Sequence, residues 1–506
     1  MYATPSTGDS TTEHRKGHSH DHTHCHPIPG AGQHVKGSAA THHSGSSGHH
    51  RPPETPSTLA PTPTVDAPSG GRAAPHVRYS PRRWSNPYLA HTIRCGQRQL
   101  PPEHESERLA EMESSSSLRT TATSAGAVII VLFCVFALGS PVEPVDSNVY
   151  HEGAQALING TPLYHFAPGH LLFTYPPFAA LILSWMAPMT EHGAWLVMTA
   201  LSCATVTLSC QRALRLGLLP TAPIGKARRV AFHLPCWAIA LVILNPFWET
   251  IAKGQINIIL MAVCLLGLTT DRRFWGGFAI GLCGGCKLTP LALGLPALRR
   301  HDWAHLAGMA TGFLASIAIG WLLLPGTSQE YWTDLMWDTG RVGGLDYPAN
   351  ASVNGVLWRH CPTTVRSALW VLLGLAVIVA GWLLLPRHLD EARRSDDLVT
   401  TVAVSATVML LISPVSWNHH WVWLPFIAMW AARVLPRRLS IVVTCLAAPV
   451  ALAGPLYLAR IIALPLGYDP LSPAVAWTGD ILPVLALVVL VGALVTRRSP
   501  TQSSYL

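Results

Sequence analysis

Charge is what this chain has least of. Only 12% of its 506 residues are Asp, Glu, Lys or Arg, 49% are apolar and the mean hydropathy is +0.30. That balance excludes an ordinary soluble protein of this length and leaves a polytopic membrane protein. Lysine is scarcer still: beyond residue 118 only Lys226, Lys253 and Lys287 occur. Eleven cysteines show no framework of paired spacings, which excludes a disulfide scaffold. Cys283-Gly-Gly-Cys286 has redox spacing but lies in an apolar run with no second pair, so it reads as packing. The chain opens without a secretory leader. It also lacks a nucleotide-binding glycine loop, paired Asp/His ligands at i, i+4 spacing in its apolar segments, and an internal repeat between its halves. The last two absences argue against a metal transporter and a secondary transporter. The excess of Lys and Arg over Asp and Glu, 35 against 27, belongs to membrane loops and gives no sign of nucleic-acid binding.

Two kinds of sequence are present. Residues 1–118 are rich in Ser, Thr, Pro, Gly, His and Arg without periodicity and are expected to be a disordered, cytoplasmic tail. Within it His18, His20, His22, His24 and His26 alternate with other residues, a pattern that binds zinc or copper only adventitiously. Met112 directly precedes the first apolar run, so a start there, with the preceding sequence as an extension, also stays open.

The remainder, 119–498, is one transmembrane domain, followed by a short cytoplasmic tail at 499–506. Twelve apolar segments approach the roughly 20 residues needed to cross a bilayer. They are 124–140, 171–189, 194–211, 230–247, 254–270, 275–297, 303–324, 364–385, 398–415, 419–433, 438–457 and 479–496. Arg299-Arg300, Arg387, Arg393-Arg394, Arg433, Arg437-Arg438 and Arg497-Arg498 fall on one side, which is cytoplasmic. The loops 142–170, 325–363, 416–418 and 458–478 are then outside. Strict alternation, however, places Arg212, Arg215, Lys226, Arg228, Arg229 and Arg272-Arg273 outside as well. Re-entrant segments at 171–189 and 275–297, each broken by proline, remove that conflict and give ten crossings instead of twelve.

Five polar clusters interrupt the apolar background: Asp146 to Tyr150, Glu249 to Asn257, Lys287-Leu-Thr-Pro290, Asn350 to Gly355 with Arg359, and Ser413 to His420. Ionisable groups at membrane depth are costly and mark functional sites by default. Asp146 is a carboxylate at the mouth of the bundle, and Lys287 is an ammonium inside it. His419-His420 can donate hydrogen bonds or carry a proton near neutral pH, though their tryptophan neighbours also suit an aromatic belt. Arg359 offers a fork for phosphate or sugar oxygens.

In order, the motifs are Asp-x-x-x-Tyr, Phe-Thr-Tyr-Pro-Pro, Gly-Gln-Ile-Asn, Lys-Leu-Thr-Pro, Ser-Val-Asn-Gly and Ser-Pro-x-Ser-Trp-x-His-His. From about Val128 to Val495 the chain resembles glycosyltransferase family 87, the actinobacterial membrane mannosyltransferases of the GT-C fold. The resemblance implies an all-α fold and polyprenyl-phosphate mannose as donor. It also implies a glycolipid or lipoglycan acceptor met at the outer face of the plasma membrane, and commonly an α-1,2 product formed with inversion. It implies no bound metal, cofactor or nucleotide sugar. Asp146 matches the catalytic carboxylate, although it is followed by Ser147 where some GT-C branches have a second acid. Donor-site candidates are Arg359, His419, His420, Lys287, Asn354, Gln255, Asn257 and Tyr175. Another polyprenyl-linked sugar, and a lipid-linked-sugar flippase, are the competing readings.

Overall fold

The computed structural model describes residues 102–139, 143–165, 171–221 and 226–497, and the described residues form helices without a named strand. The histidine run and the 499–506 tail lie outside them. In chain order the first helices are α1 Pro102–Gly139, α2 Val145–Asn159, α3 Pro177–Leu183, α4 Glu191–Arg215, α5 Lys226–Ile243, α6 Asn245–Lys253, α7 Asn257–Thr269, α8 Arg273–Cys286, α9 Leu295–Arg299 and α10 Trp303–Leu323. There follow α11 Pro325–Thr333, α12 Val353–His360, α13 Thr363–Leu384, α14 Arg394–Ile412, α15 Leu424–Val434, α16 Arg437–Ala453, α17 Pro455–Ala463, α18 Pro473–Ala476 and α19 Ile481–Arg497.

Helix α1 starts at Pro102, a residue suited to a first helical position, and runs through residue 118, where the sequence places the domain boundary. Some of the later helices start on side-chain caps. Thr190 accepts from the Gly193 amide at 3.0 Å to open α4, and Ser352 accepts from Gly355 at 3.0 Å to open α12.

Among the described residues, six helices are long and apolar enough to cross a membrane, or eight if two bent pairs each count as one span. Those pairs are α5–α6, bent by 78° at Asn245-Pro246, and α16–α17, bent by 92° at Gly454-Pro455. Proline removes a helical amide and clashes with the preceding turn, which accounts for both breaks. The expected spans 254–270 and 419–433 are helices of 13 and 11 residues, α7 and α15, running between the same two ends.

The remaining two segments turn back. Helices α8 and α10 lie side by side in the same direction: a Cβ on Gly277 would stand 1.9 Å from the His305 carbonyl, and one on Gly281 2.1 Å from that of Met309. Reciprocally, Gly308 meets Phe274 at 2.0 Å and Gly312 meets Phe278 at 2.2 Å. Consecutive helices can run parallel only if the chain returns between them, and the 3₁₀ turn at Thr289–Gly294 with α9 brings it back. Likewise Tyr175, before α3, lies 3.0 Å from Tyr150 of α2, and Met189, after it, accepts from His151 of α2 at 2.8 Å, so 171–189 leaves α2 and comes back to it. Each of these two segments begins and ends at one end of the helices, and on that course the arginine conflict disappears. Arg212 donates to the Thr269 carbonyl at 2.7 Å, Arg273 lies 3.7 Å from Asp302, and Arg394 pairs with Asp271 at 2.5 Å. All these basic residues therefore share one end of the bundle, and Asp146 lies at the other.

Candidate active site

The turns that interrupt the helices carry the polar clusters, and four of the five converge. Gly254 ends α6 with φ +70°, a conformation natural to glycine, and a Cβ there would meet that of Ser147 at 2.6 Å. This close crossing puts Gln255 and Asn257 beneath the first turn of α2, which carries Asp146. The Gln255 side-chain oxygen accepts from Tyr150 at 2.8 Å and from Tyr175 at 3.2 Å, and the two phenols are 3.0 Å apart. Burial first, then neighbouring Tyr175 and Asp146, push the Tyr150 phenol well above its ordinary pKa, so it remains a donor.

Lys287 stands at the inner tip of the α8 hairpin. Its Nζ donates to Asn257 Oδ1 at 2.8 Å, lies 2.8 Å from His420 Nε2 and sits 5.5 Å from the centre of the Tyr175 ring. A charged ammonium has three donors and no acceptor, so His420 presents its Nε2 lone pair and one N–H remains for a ligand oxygen. Asp146 is near enough for its charge to act on Lys287, Tyr175 and His419. It is half-buried, and among the described residues its carboxylate has no hydrogen bond or ion pair.

Below this polar group is a partly open pocket. Asn257, Lys287, Ser416 and His420 form its polar side, while Leu260, Met261, Leu293, Met409 and Trp423 give the apolar walls. It can accept a molecule with a charged head and an apolar body.

His419 is arranged differently from its neighbour. Its backbone carbonyl accepts from Thr250 at 3.0 Å and Asn257 at 3.3 Å, its Nδ1 is 4.0 Å from Glu249, and its buried Nε2 has no partner among the described residues. Glu249 is the residue that sequence reasoning left without a role. It pairs with Lys253 at 2.5 Å and accepts from Asn418 at 3.0 Å, so one carboxylate ties α6 to the histidine loop. The signal was legible as two opposite charges at i, i+4 in apolar surroundings, but that spacing also describes any helix-surface pair.

The fifth cluster does not join. The Arg359 side chain is only 2% exposed and pairs with Asp480 at 2.6 Å. Its other donors reach the carbonyls of Tyr347 and Asn350 at 3.1 Å, so it has no fork left for a phosphate. Asn354 donates to the Pro414 carbonyl at 3.0 Å, and the Ala351 amide donates to Ser416 at 2.8 Å. These two candidates brace the loop that presents His419 and His420. Arg359→Gln should therefore lower thermal stability by about 3 kcal/mol, as loss of one partner from a buried ion pair does. Thermal unfolding alongside donor titration checks this: weaker donor use at unchanged stability would return Arg359 to the site.

The family model of glycosyltransferase family 87 matches residues 173–414. A phosphatidylinositol mannoside mannosyltransferase of Mycolicibacterium smegmatis, named as polyprenol-phosphate-mannose-dependent and α-(1-2), is 32% identical over 329 residues, 62% of this chain and 74% of its own length. The chain belongs to glycosyltransferase family 87. Its namesake in Mycobacterium tuberculosis is 32% identical over 294 residues, 55% of this chain and 68% of its own. A phosphatidylinositol pentamannoside mannosyltransferase of M. smegmatis, named with the same donor and linkage, is 30% identical over 296 residues, 56% and 68% of the two chains. No solved structure matches. As a family 87 protein the chain is a membrane hexosyltransferase, and its all-helical architecture is the GT-C fold. The family model spans Tyr175, Gln255, Asn257 and Lys287, while Asp146 precedes its match and His419 and His420 follow it.

Proposed function

We propose that this hexosyltransferase moves mannose from polyprenyl-phosphate mannose to a glycolipid or lipoglycan hydroxyl, forming an α-1,2 linkage with inversion. The transfer takes place on the outer side of the membrane, with both termini cytoplasmic. The observation that carries the reading is one cavity with apolar walls, an ammonium at its polar side and an unpaired carboxylate beside it. The donor and linkage named for the relatives support it.

In this reading Asp146 takes the proton from the acceptor hydroxyl as its oxygen attacks the anomeric carbon. The bond from that carbon to the phosphate oxygen breaks on the opposite face, which inverts the configuration. The electron pair leaves with the lipid phosphate, beside Lys287 and His420. Tyr175, Gln255 and Asn257 hold the sugar, and the apolar walls receive the first prenyl units. Gln255 has its amide nitrogen available for this, since its oxygen already accepts from both phenols.

The test is transfer of labelled mannose to membrane glycolipid in vesicles containing the purified protein. Polyprenyl-phosphate mannose should support transfer, and GDP-mannose alone should not. Transfer from another polyprenyl-linked sugar in its place would replace mannose, and outward movement of intact donor without transfer would replace the enzyme with a flippase.

A further inference from the structure

At the end of the bundle opposite Asp146, several arginines are matched by a partner. Arg273 faces Asp302, Arg394 pairs with Asp271 and Glu391, Arg433 lies 3.0 Å from Asp396, and Arg300 donates to Thr401 and to the Pro386 carbonyl. Three arginines without an ion pair among the described residues lie at the adjoining ends of three helices. Arg299 closes α9, Arg387 follows α13 and Arg497 ends α19.

The like charges of Arg387 and Arg497 both act on the Arg299 guanidinium, and no carboxylate among the described residues does. Arg299 sits 5.0 Å from the centre of the Trp382 ring, and its Nε is buried with no hydrogen-bond partner. Arg497 is partly engaged, since it donates to the Leu383 carbonyl in the last turn of α13. Arg387 is exposed and has no hydrogen bond or ion pair among the described residues. Beside this cluster Leu298 and Leu383, each 43% exposed, continue as lipid-facing surface.

Three converging guanidinium groups repel one another unless an anion lies between them, and planar forks suit the tetrahedral oxygens of a phosphate. A tryptophan at the same level and apolar side chains next to it are what a lipid headgroup and its acyl chains meet at an interface. We propose that Arg299, Arg387 and Arg497 hold the phosphate of an anionic phospholipid whose chains lie against Leu298 and Leu383. This site is separate from the catalytic one. The 3₁₀ turn Thr289–Gly294 and α9 put about 20 Å of helix between Lys287 and Arg299. It does not depend on which sugar the enzyme transfers.

The experiment uses the full chain in detergent, stripped of lipid. Bound lipid is counted by native mass spectrometry, and unfolding temperature is followed on adding phosphatidylglycerol, phosphatidylcholine or inorganic phosphate. The wild type should retain phosphatidylglycerol and be stabilised by it, with phosphatidylcholine and inorganic phosphate giving neither effect. Arg299→Gln with Arg387→Gln should weaken phosphatidylglycerol binding about tenfold or more. Arg437→Gln with Arg438→Gln, exposed positions at the start of α16, should bind as the wild type does.

If the double variant fails to fold, the exposed Arg387→Gln alone should still weaken binding several-fold. Equal binding by the wild type and the Arg299/Arg387 variants overturns the proposal, as does an equal loss in the Arg437/Arg438 control. Stabilisation by inorganic phosphate that depends on Arg299 and Arg387 would overturn the lipid and leave a phosphate-ion site.

Discussion

Asp146→Asn should reduce mannose transfer by a factor of about 10² to 10⁴, the range expected for losing a positioned general base. Asparagine keeps the shape and removes the basic oxygen. The fold should be unaffected, because among the described residues the Asp146 carboxylate makes no hydrogen bond or ion pair that asparagine would break. The variant should therefore reach the membrane in wild-type amounts, unfold at the wild-type temperature and bind donor as before. The measurement is the initial rate of transfer at saturating donor, per amount of folded protein. A rate within a factor of two of wild type would remove Asp146 from the chemistry, and Glu143 and Glu152 would be the next carboxylates to test.

The second large effect is expected at Lys287. Its ammonium faces the place where the departing phosphate gains charge, so Lys287→Met should lower kcat by about 10² to 10³, the usual loss when one donor to a developing anion is removed. KM for the donor should change less, because the interaction grows toward the transition state. Methionine suits the test, since it fills the space of the lysine stem without leaving an unpaired buried charge. Lys287→Arg should not rescue the rate: a planar guanidinium cannot reproduce the two 2.8 Å contacts to Asn257 and His420 in the same space. A raised KM with unchanged kcat would instead assign Lys287 to ground-state binding.

The sequence made the helical membrane fold legible because long apolar segments have few alternatives in a bilayer. It also marked most of the residues that meet in the candidate site, since Asp146, Gln255, Asn257, Lys287, His419 and His420 are polar groups in apolar surroundings. The misreadings share a physical cause: the partners of a polar side chain are distant in the chain. Arg359 looks like a free fork until Asp480, 121 residues further on, is found beside it. Glu249 looks like half of a helical ion pair until the loop bearing Asn418 and His419 folds against it. The segment count stayed open between ten and twelve for a different reason. Hydropathy sees composition and not direction, so the α8 hairpin read as a possible crossing until its contacts with α10 gave its course.

The four glycine contacts between α8 and α10 bear on how this enzyme can change. Main chain lies against main chain there, so the place from which Lys287 projects is set by peptide groups that every amino acid possesses. The cavity walls, by contrast, are side chains such as Met261, Leu293 and Met409 that no backbone contact depends on. Substitutions in the walls can reshape the cavity for a different lipid or sugar while the ammonium keeps its position. Selection for a new substrate has somewhere to act without dismantling the catalyst.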